Sequence, residues 1–126
     1  KLQTKIKTLI KKSSINTGLK LNIALNYGAR AEILMAVNKA TNKKGGILLE
    51  NDLTDNLYTK GMPDVDLLIR TGGQKRLSNF LLWQVAYSEL YFIDTLWPDF
   101  SDKDFVSALY FFQNTVRKFG NLKGDA

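Results

Sequence analysis

The chain of 126 residues is 44% hydrophobic and carries a formal net charge of +6, which suits one folded domain and not a disordered segment. It contains no cysteine and no histidine, so disulfides, thiolate metal sites and histidine acid–base catalysis are excluded, and a metal ion would need oxygen ligands, as Mg²⁺ does. No apolar run approaches the roughly 20 residues of a membrane span and no signal peptide opens the chain, so the sequence predicts a cytoplasmic protein.

The first predicted element is a basic amphipathic helix over residues 2–12. Its apolar positions recur at helical spacing, at Leu2, Ile6, Leu9 and Ile10. A solvated face is the expected role of its lysines, and contact with an anionic membrane surface is the alternative. The helix has no aromatic residue and the rest of the chain is nearly balanced in charge, so no nucleic-acid partner is expected. It begins without a capping residue, which predicts a chain cut inside an element.

Three elements are predicted between residues 19 and 59. A strand is predicted where apolar residues alternate with others, at Leu19, Leu21, Ile23 and Leu25. "NYGAR" (Asn26–Arg30) ends it, and a helix follows whose apolar face holds Ile33, Leu34, Val37 and Ala40. A weaker helix is predicted within Glu50–Thr59.

Two strands are predicted in the second half, "VDLLI" (Val65–Ile69) and "ELYFID" (Glu89–Asp94), with a helix between them over Asn79–Tyr87. The aromatic and apolar residues of that region are predicted to form core, namely Phe80, Leu82, Trp83 and Tyr87. A capping box formed by Ser101 and Asp104 opens the last helix. Its stripe is Phe105, Leu109, Phe112 and Val116, with Gly120 suited to the position after its end.

Strands that alternate with helices predict an α/β fold, a parallel sheet flanked by helices. Three strands make a small sheet. Residues 1–126 are therefore interpreted as a single domain or as part of a larger one.

The loop "RTGGQKRLSNF" (Arg70–Phe80) begins where the second strand ends, which is the edge at which open parallel sheets bind ligands. Arg70 and Arg76 supply planar donors that match phosphate oxygens, and Gly72 and Gly73 allow close backbone approach. Ser78 offers a hydroxyl and can cap the following helix, whose first amides favour anions. The combination predicts a polyphosphate site. The alternative is a tight turn with solvated charges and Ser78 as a plain cap.

Glu89 opens the third predicted strand among apolar neighbours, where an unpaired carboxylate is costly to bury. Two roles stay open: an ion pair with Arg70 or Arg76, or a ligand to a cation bound to the phosphate. Asp64 and Asp66 are predicted to be turn and edge residues.

Residues 66–100, "DLLIRTGGQKRLSNFLLWQVAYSELYFIDTLWPDF", closely resemble the C-terminal signature of the cis-prenyltransferases, above all the bacterial undecaprenyl diphosphate synthases. The segments 18–30 and 117–120 are also similar to that family, and the similarity runs from about Leu2 to Gly120. The resemblance implies that this chain is the C-terminal part of a larger cis-prenyltransferase fold.

The resemblance also implies an activity. Such transferases extend an allylic diphosphate, usually farnesyl diphosphate, by repeated addition of isopentenyl diphosphate, with Mg²⁺, typically as homodimers. The long-chain product, such as undecaprenyl diphosphate, is a cell-wall lipid carrier, and it implies peripheral contact with the inner face of a membrane.

The family's residues for isopentenyl diphosphate fall here on Arg70, Arg76 and Ser78, with Gly120 in the tail that reaches the neighbouring subunit's site. The glutamate that contributes to its Mg²⁺ site falls on Glu89. Beyond substrate and metal binding, no catalytic residue is implied in this chain.

Three positions depart from the family pattern. Gln74 replaces a common glutamate, Ala29 a usual glycine, and Lys118 a common arginine, which keeps the charge but loses the planar fork. The family's loop for the allylic diphosphate has no counterpart in these residues, so this chain alone is expected to be inactive.

Two other functions are weighed against this one. A non-catalytic partner subunit of the same fold would usually lack the two arginines and the serine. A general phosphate-binding module would be expected to carry a Walker or GxGxxG motif, and neither occurs. The all-helical trans-prenyltransferases use DDxxD clusters, which are also absent.

Overall fold

The computed structural model describes residues 1–117. Its helices are α1 (Leu2–Ser13), α2 (Ala29–Lys44), α3 (Glu50–Thr54) and α4 (Asp102–Gln113), and a short 3₁₀ helix covers Trp97–Asp99. Its strands are β1 (Leu67–Arg70) and β2 (Glu89–Phe92). The predicted helices over residues 2–12 and within Glu50–Thr59 are thereby confirmed, as are both strands of the second half, each shorter than predicted.

The two strands form a parallel sheet, in which Leu67 lies opposite Glu89 and Arg70 opposite Phe92. A backbone hydrogen bond of 3.0 Å from the Ile93 N–H to the Arg70 carbonyl continues the pairing past the end of β2. The α/β class with a parallel sheet is confirmed. The sheet thus brings the residues after Arg70 beside the residues after Phe92.

The predicted strand over Leu19–Leu25 is wrong, because that segment has no regular secondary structure. Its alternating apolar side chains are all exposed, from 67% at Leu25 to 92% at Leu19. A strand needs a neighbour to accept its backbone hydrogen bonds. In the described chain, β1 pairs with β2 alone, so the sheet has two strands and not three.

The core lies between α2, α3 and the segment that follows α3. Ala36 of α2 packs with Leu53 and Leu57, and Val37 and Trp83 cover this cluster. The buried face of α2 consists of small residues and one glutamate, at Ala29, Glu32, Ala36 and Ala40. The predicted face was therefore shifted: Ala40 is on it, whereas Leu34 is 66% exposed.

The predicted helix over Asn79–Tyr87 is also wrong, since that segment is a series of turns. Ser78, Asn79 and Leu81 adopt φ values of 49°, 63° and 46°, and left-handed residues do not propagate a right-handed helix. Within the segment Val85 is buried and Trp83 partly so, but Phe80 and Tyr87 are exposed, so the predicted core was only partly correct.

The last helix, α4, begins as predicted. The Ser101 hydroxyl accepts the Asp104 N–H, and the Asp104 carboxylate accepts the Ser101 N–H at 2.8 Å. The helix ends at Gln113, before Val116, and Gly120 lies outside the described residues. Among residues 1–117, no helix is both long and apolar enough to cross a membrane.

Candidate functional site

The loop that follows β1 is held against the residues that follow β2. The Gly72 N–H donates to the Thr95 carbonyl at 2.9 Å, and the Gly73 N–H donates to the Ile93 carbonyl at 3.0 Å. Both glycines have positive φ, and a Cβ on Gly73 would lie 3.0 Å from Asp94 Oδ1. The close approach that the glycines permit is therefore to the strand-end segment, and their amides are already engaged there.

Arg70 organises the loop from the end of β1. Its Nη1 donates to the Ser78 hydroxyl at 2.9 Å and also to the Arg76 carbonyl. Of the three residues that the sequence singled out, the structure brings the side chains of Arg70 and Ser78 together, whereas Arg76 joins them through its backbone carbonyl. The helix that Ser78 was predicted to cap does not form, so its hydroxyl serves the loop.

The second arginine of the loop is solvent-exposed. Arg76 Nη1 donates to Gln74 Oε1 at 2.5 Å, which holds the side chain close to the loop. In residues 1–117, neither Arg70 nor Arg76 makes an ion pair with a carboxylate. Within the described part of the chain, the loop therefore carries two guanidinium charges that no acidic side chain neutralises, and guanidinium groups favour multiply charged anions.

A cleft of about 280 Å³ opens beside Arg70 and Ser78. Its lining is part apolar and part polar, consisting of Leu68, Ile69, Arg70, Thr71, Leu77, Ser78 and Phe80. A surface of this kind suits a ligand with an anionic end and a short apolar body.

The far end of the loop is attached to the N-terminus of α2. The Asn79 carbonyl accepts the Ala29 N–H, and Asn79 Oδ1 accepts the Arg30 N–H, both at 2.9 Å. The Tyr27 ring meets the Phe80 ring edge-on, with centroids 5.6 Å apart. "NYGAR" and "LSNF", which are far apart in sequence, therefore form one unit.

A buried carboxylate lies behind that unit. Glu32 is 1% exposed and accepts the Tyr58 N–H at 2.7 Å, Gln84 Nε2 at 3.2 Å and the Tyr27 hydroxyl. These donors come from three segments, so Glu32 ties α2 to the chain on both sides of β1. Burial, and then the hydrogen bond to Glu32 and its charge, raise the pKa of Tyr27 above its ordinary value of 10.0.

Glu89 stands at the other end of the sheet from the loop. It faces Leu67 across the strands, three positions before Arg70, which is roughly 10 Å along a parallel strand. Of the two roles left open for Glu89, the ion pair with Arg70 or Arg76 does not form among the described residues, and the role of cation ligand stays a prediction. No group of three or more acidic side chains comes together among residues 1–117.

The start of β1 is tied to the chain that follows α4. Arg117 Nη1 and Asp66 Oδ1 are 2.5 Å apart, and the Arg117 guanidinium lies 5.5 Å from the centre of the Phe112 ring. Asp66 was predicted to be an edge residue, and this ion pair is a role that the sequence did not reveal. The predicted contribution of Gly120 falls outside the described residues.

Two further positions were missed by the sequence reasoning. Asn79 has one signal, because asparagine is among the few residues that tolerate a left-handed backbone at the end of a loop. Glu32 has a weaker signal, a carboxylate one turn ahead of Ala36 on the buried face of α2.

Ala29, which stands where the family usually has glycine, fits the backbone of this chain. It is buried at the first helical position of α2, where alanine is favourable.

Comparisons with known proteins identify the family of this chain. The family model described as "Putative undecaprenyl diphosphate synthase" matches residues 1–120. An "Isoprenyl transferase" from Listeria monocytogenes serotype 4b is 54% identical over 112 residues, covering 84% of this chain and 44% of that protein. A "Ditrans,polycis-undecaprenyl-diphosphate synthase ((2E,6E)-farnesyl-diphosphate specific)" from Photorhabdus laumondii is 47% identical and covers 99% of this chain and 52% of that protein.

Solved structures show the same fold. A "probable undecaprenyl diphosphate synthase" from Campylobacter jejuni matches with a TM-score of 0.82 at 41% identity, covering 95% of this chain and 56% of that one. Lavandulyl diphosphate synthase from Lavandula x intermedia, solved with dimethylallyl diphosphate, matches with a TM-score of 0.87 at 36% identity, covering 95% of this chain and 54% of that one.

The chain spans about half the length of the curated relatives it matches. The family model and these identities agree with the resemblance seen in residues 66–100. The chain belongs to the undecaprenyl diphosphate synthase family of prenyltransferases.

Proposed function

We propose that this chain provides the isopentenyl diphosphate site of a cis-prenyltransferase, which condenses that substrate with an allylic diphosphate. The observation that carries the proposal is the contact of Arg70 with Ser78 and with the Arg76 backbone. It brings the Arg70 guanidinium and the Ser78 hydroxyl to one cleft and holds the backbone of Arg76 beside them. Charge-assisted, planar donors are the groups that bind diphosphate oxygens most strongly.

The shape of the cleft supports the same substrate. Its apolar lining, at Leu68, Leu77 and Phe80, lies beside the two polar donors Arg70 and Ser78. We assign the diphosphate to the donors and the five-carbon isopentenyl group to the apolar wall. Each condensation releases the diphosphate of the allylic substrate and keeps the diphosphate of isopentenyl diphosphate on the product. The site proposed here must therefore hold a diphosphate that stays intact.

The remaining features of the reaction are part of the same proposal. The allylic partner is farnesyl diphosphate and the product a long-chain polyprenyl diphosphate, which the name of the Photorhabdus relative supports. A homodimer, a contribution of Gly120 to the site, a cytoplasmic location and contact of the lipid product with a membrane follow from the resemblance.

Magnesium stays a prediction of that resemblance. Glu89 is the one described residue proposed as a ligand, and it lies at the end of β2 away from the loop. Mg²⁺ is commonly bound by one or two carboxylates together with substrate phosphates and waters, so a single glutamate is compatible with this role.

The test is binding of isopentenyl diphosphate to the Arg76→Ala variant, measured by isothermal titration. The expected dissociation constant is about 10 to 100 times that of the wild type, because a charged donor to phosphate is removed. The free energy of unfolding should change little, since the Arg76 side chain is exposed and its described hydrogen bond is to the side chain of Gln74.

Lys75→Ala is the matched control, because Lys75 is an exposed cation next to Arg76 that makes no described hydrogen bond or ion pair. Its dissociation constant should stay within about twofold of the wild type. Equal weakening by both variants would show a general effect of charge, and unchanged binding by Arg76→Ala would refute the site.

The alternative of a non-catalytic partner subunit predicts a different outcome. Such a chain would not need these groups, yet Arg70 contacts both the Ser78 hydroxyl and the Arg76 backbone carbonyl. Failure of the wild-type chain to bind isopentenyl diphosphate would favour this alternative.

A further inference from the structure

We propose that Asn79 is a positioning residue that holds the Arg70–Ser78 pair in place by capping α2 from outside that helix. This inference rests on the proposed function for the identity of the ligand. The contacts of Asn79 themselves do not depend on it.

The N-terminus of α2 lacks a cap of its own. The capping position is Gly28, which has no side chain, and no side-chain cap is formed there by the helix. A helix begins with amides that have no partner within it, and a side-chain oxygen at the capping position usually accepts one of them. Here both amides donate to Asn79, the Ala29 N–H to its backbone carbonyl and the Arg30 N–H to its side-chain Oδ1. Asn79 lies 49 residues after Arg30 in the sequence.

The fit between the two segments is tight. A Cβ on Gly28 would lie 2.9 Å from Asn79 Nδ2, closer than real Cβ atoms come to another heavy atom. Glycine at position 28 is therefore explained by the side chain of Asn79. The φ of 63° at Asn79 is one that asparagine adopts more readily than most residues.

The cap is coupled to the site by a single peptide unit. Ser78 is adjacent to Asn79 and is itself left-handed, with a φ of 49°. Its hydroxyl is the acceptor of Arg70 Nη1. Left-handed conformations at two successive residues are not intrinsically favoured, so surrounding contacts must hold them. The contacts that anchor Asn79 to α2 therefore also fix the position of Ser78.

The loop is therefore held at two points. Arg70 fixes the loop from the strand side and Asn79 fixes it from the helix side. Loss of the Asn79 side chain should leave Arg70 and Ser78 present but misaligned, and the ligand should then bind less tightly.

The test compares two variants of Asn79 in the 126-residue chain. Asn79→Gly removes the side-chain acceptor and tolerates the left-handed backbone. Asn79→Asp keeps the acceptor and adds a negative charge that suits a helix N-terminus. Ser101→Ala is the control for stability, because it removes the cap of α4, a helix that carries none of the proposed ligand-binding residues.

The first readout needs no ligand. Nuclear magnetic resonance of the arginine side chains should show a shifted or broadened Arg70 guanidinium signal in Asn79→Gly, with faster hydrogen exchange at the Arg30 amide, whose acceptor is the deleted side chain. Asn79→Asp should restore both observations toward the wild type, and Ser101→Ala should leave them unchanged. An unchanged Arg70 signal in Asn79→Gly would overturn the proposal.

The second readout is the dissociation constant for isopentenyl diphosphate and for inorganic pyrophosphate. Asn79→Gly should raise both by about tenfold, the factor that corresponds to one hydrogen bond. Asn79→Asp should bind more tightly than Asn79→Gly. A loss of binding in Ser101→Ala as large as that in Asn79→Gly would also overturn the proposal, because stability alone would then explain the effect.

The two readouts separate this inference from the proposed function. If the Arg70 signal responds to Asn79→Gly while the wild-type chain binds neither diphosphate, the ligand assignment fails and the positioning role stands. If the wild type binds and Asn79→Gly binds equally well, the ligand assignment stands and the positioning role fails.

Discussion

Arg70 is a structural residue of the loop as well as a proposed ligand-binding residue. Its Nη1 donates to the Ser78 hydroxyl and the Arg76 carbonyl, while it makes no ion pair in the described chain. The guanidinium has five N–H donors, so contacts within the loop leave others available for a ligand. Lysine in this place could hold the charge but not the fixed planar geometry.

Gly73 gives a prediction about the strand-end contact. Gly73→Ala should lower the free energy of unfolding by more than the roughly 1 kcal/mol expected of a left-handed alanine, because its Cβ would also meet Asp94 Oδ1 at 3.0 Å. Gly61→Ala is the matched control, with a φ of 76° and no atom within 4 Å of the added Cβ. Urea unfolding of both variants measures the difference, and equal losses would contradict the role of the contact.

Tyr27 gives a prediction about alkaline pH. Its pKa is raised in the folded state, chiefly by burial and then by Glu32, so folding favours the protonated phenol. The resulting stabilisation is fully present below pH 10.0, the ordinary pKa, and is lost as the pH rises above it toward the folded value.

The free energy of unfolding of the wild type should therefore fall above pH 10 more steeply than that of Tyr27→Phe. An ultraviolet titration should show one of the five tyrosines ionising at a higher pH than the others. Identical pH profiles for the two proteins would show that Tyr27 titrates normally.

At the scale of elements, the capping box of α4 is the feature read most directly from sequence. The backbone N–H of Ser101, and then its hydroxyl, lower the pKa of Asp104 below its ordinary value of 3.8. A depressed pKa gives stability that is present above pH 3.8 and is lost as the pH falls through the folded value.

Two variants test this cap. Ser101→Ala should lower the free energy of unfolding by about 1 kcal/mol at neutral pH, the usual effect of removing a serine cap. Asp104→Asn should make the free energy of unfolding less dependent on pH below 3.8 than in the wild type. Urea unfolding between pH 2 and 7 measures both, and a wild-type acid dependence in Asp104→Asn would contradict the account.

The elements that the sequence mispredicted share a physical cause. Alternation at Leu19–Leu25 indicates which side chains share a face, but it cannot indicate whether another strand is available to pair. The apolar spacing over Asn79–Tyr87 fits a helix, but left-handed residues at Asn79 and Leu81 prevent one. Local pattern predicted β1, β2 and α4 because their signals come from residues within each element.

The candidate site, like the elements, was predictable only where its residues lie close together in sequence. Arg70, Arg76 and Ser78 could be found because they lie in one loop after one strand. The contacts of Asn79 with α2 and of Glu32 with Gln84 join residues about 50 positions apart, and no periodicity records such pairs.

At the scale of the whole molecule, the described core is small. The accessible surface of the chain is 10736 Å², whereas a compact monomer of 14.3 kDa has about 6,800 Å². Exposed large apolar residues include three of α1 and all four of the segment Leu19–Leu25. The geometry of the site therefore depends on the specific hydrogen bonds of the loop more than on a large core behind it.

The same scale relates the chain to its family. It spans about half of relatives named as isoprenyl transferases and undecaprenyl diphosphate synthases. The expectation drawn from the resemblance is that this chain binds isopentenyl diphosphate but does not elongate a prenyl chain by itself.

Isothermal titration of the folded chain with isopentenyl diphosphate, with and without Mg²⁺ and beside Arg70→Ala, tests the central claim most directly. We expect binding by the wild type and at least a tenfold weaker affinity in Arg70→Ala, because the variant loses both a proposed phosphate donor and the anchor of Ser78. Equal affinity of the two proteins, or no binding by a folded wild-type chain, would contradict the claim that this loop is a preformed diphosphate site.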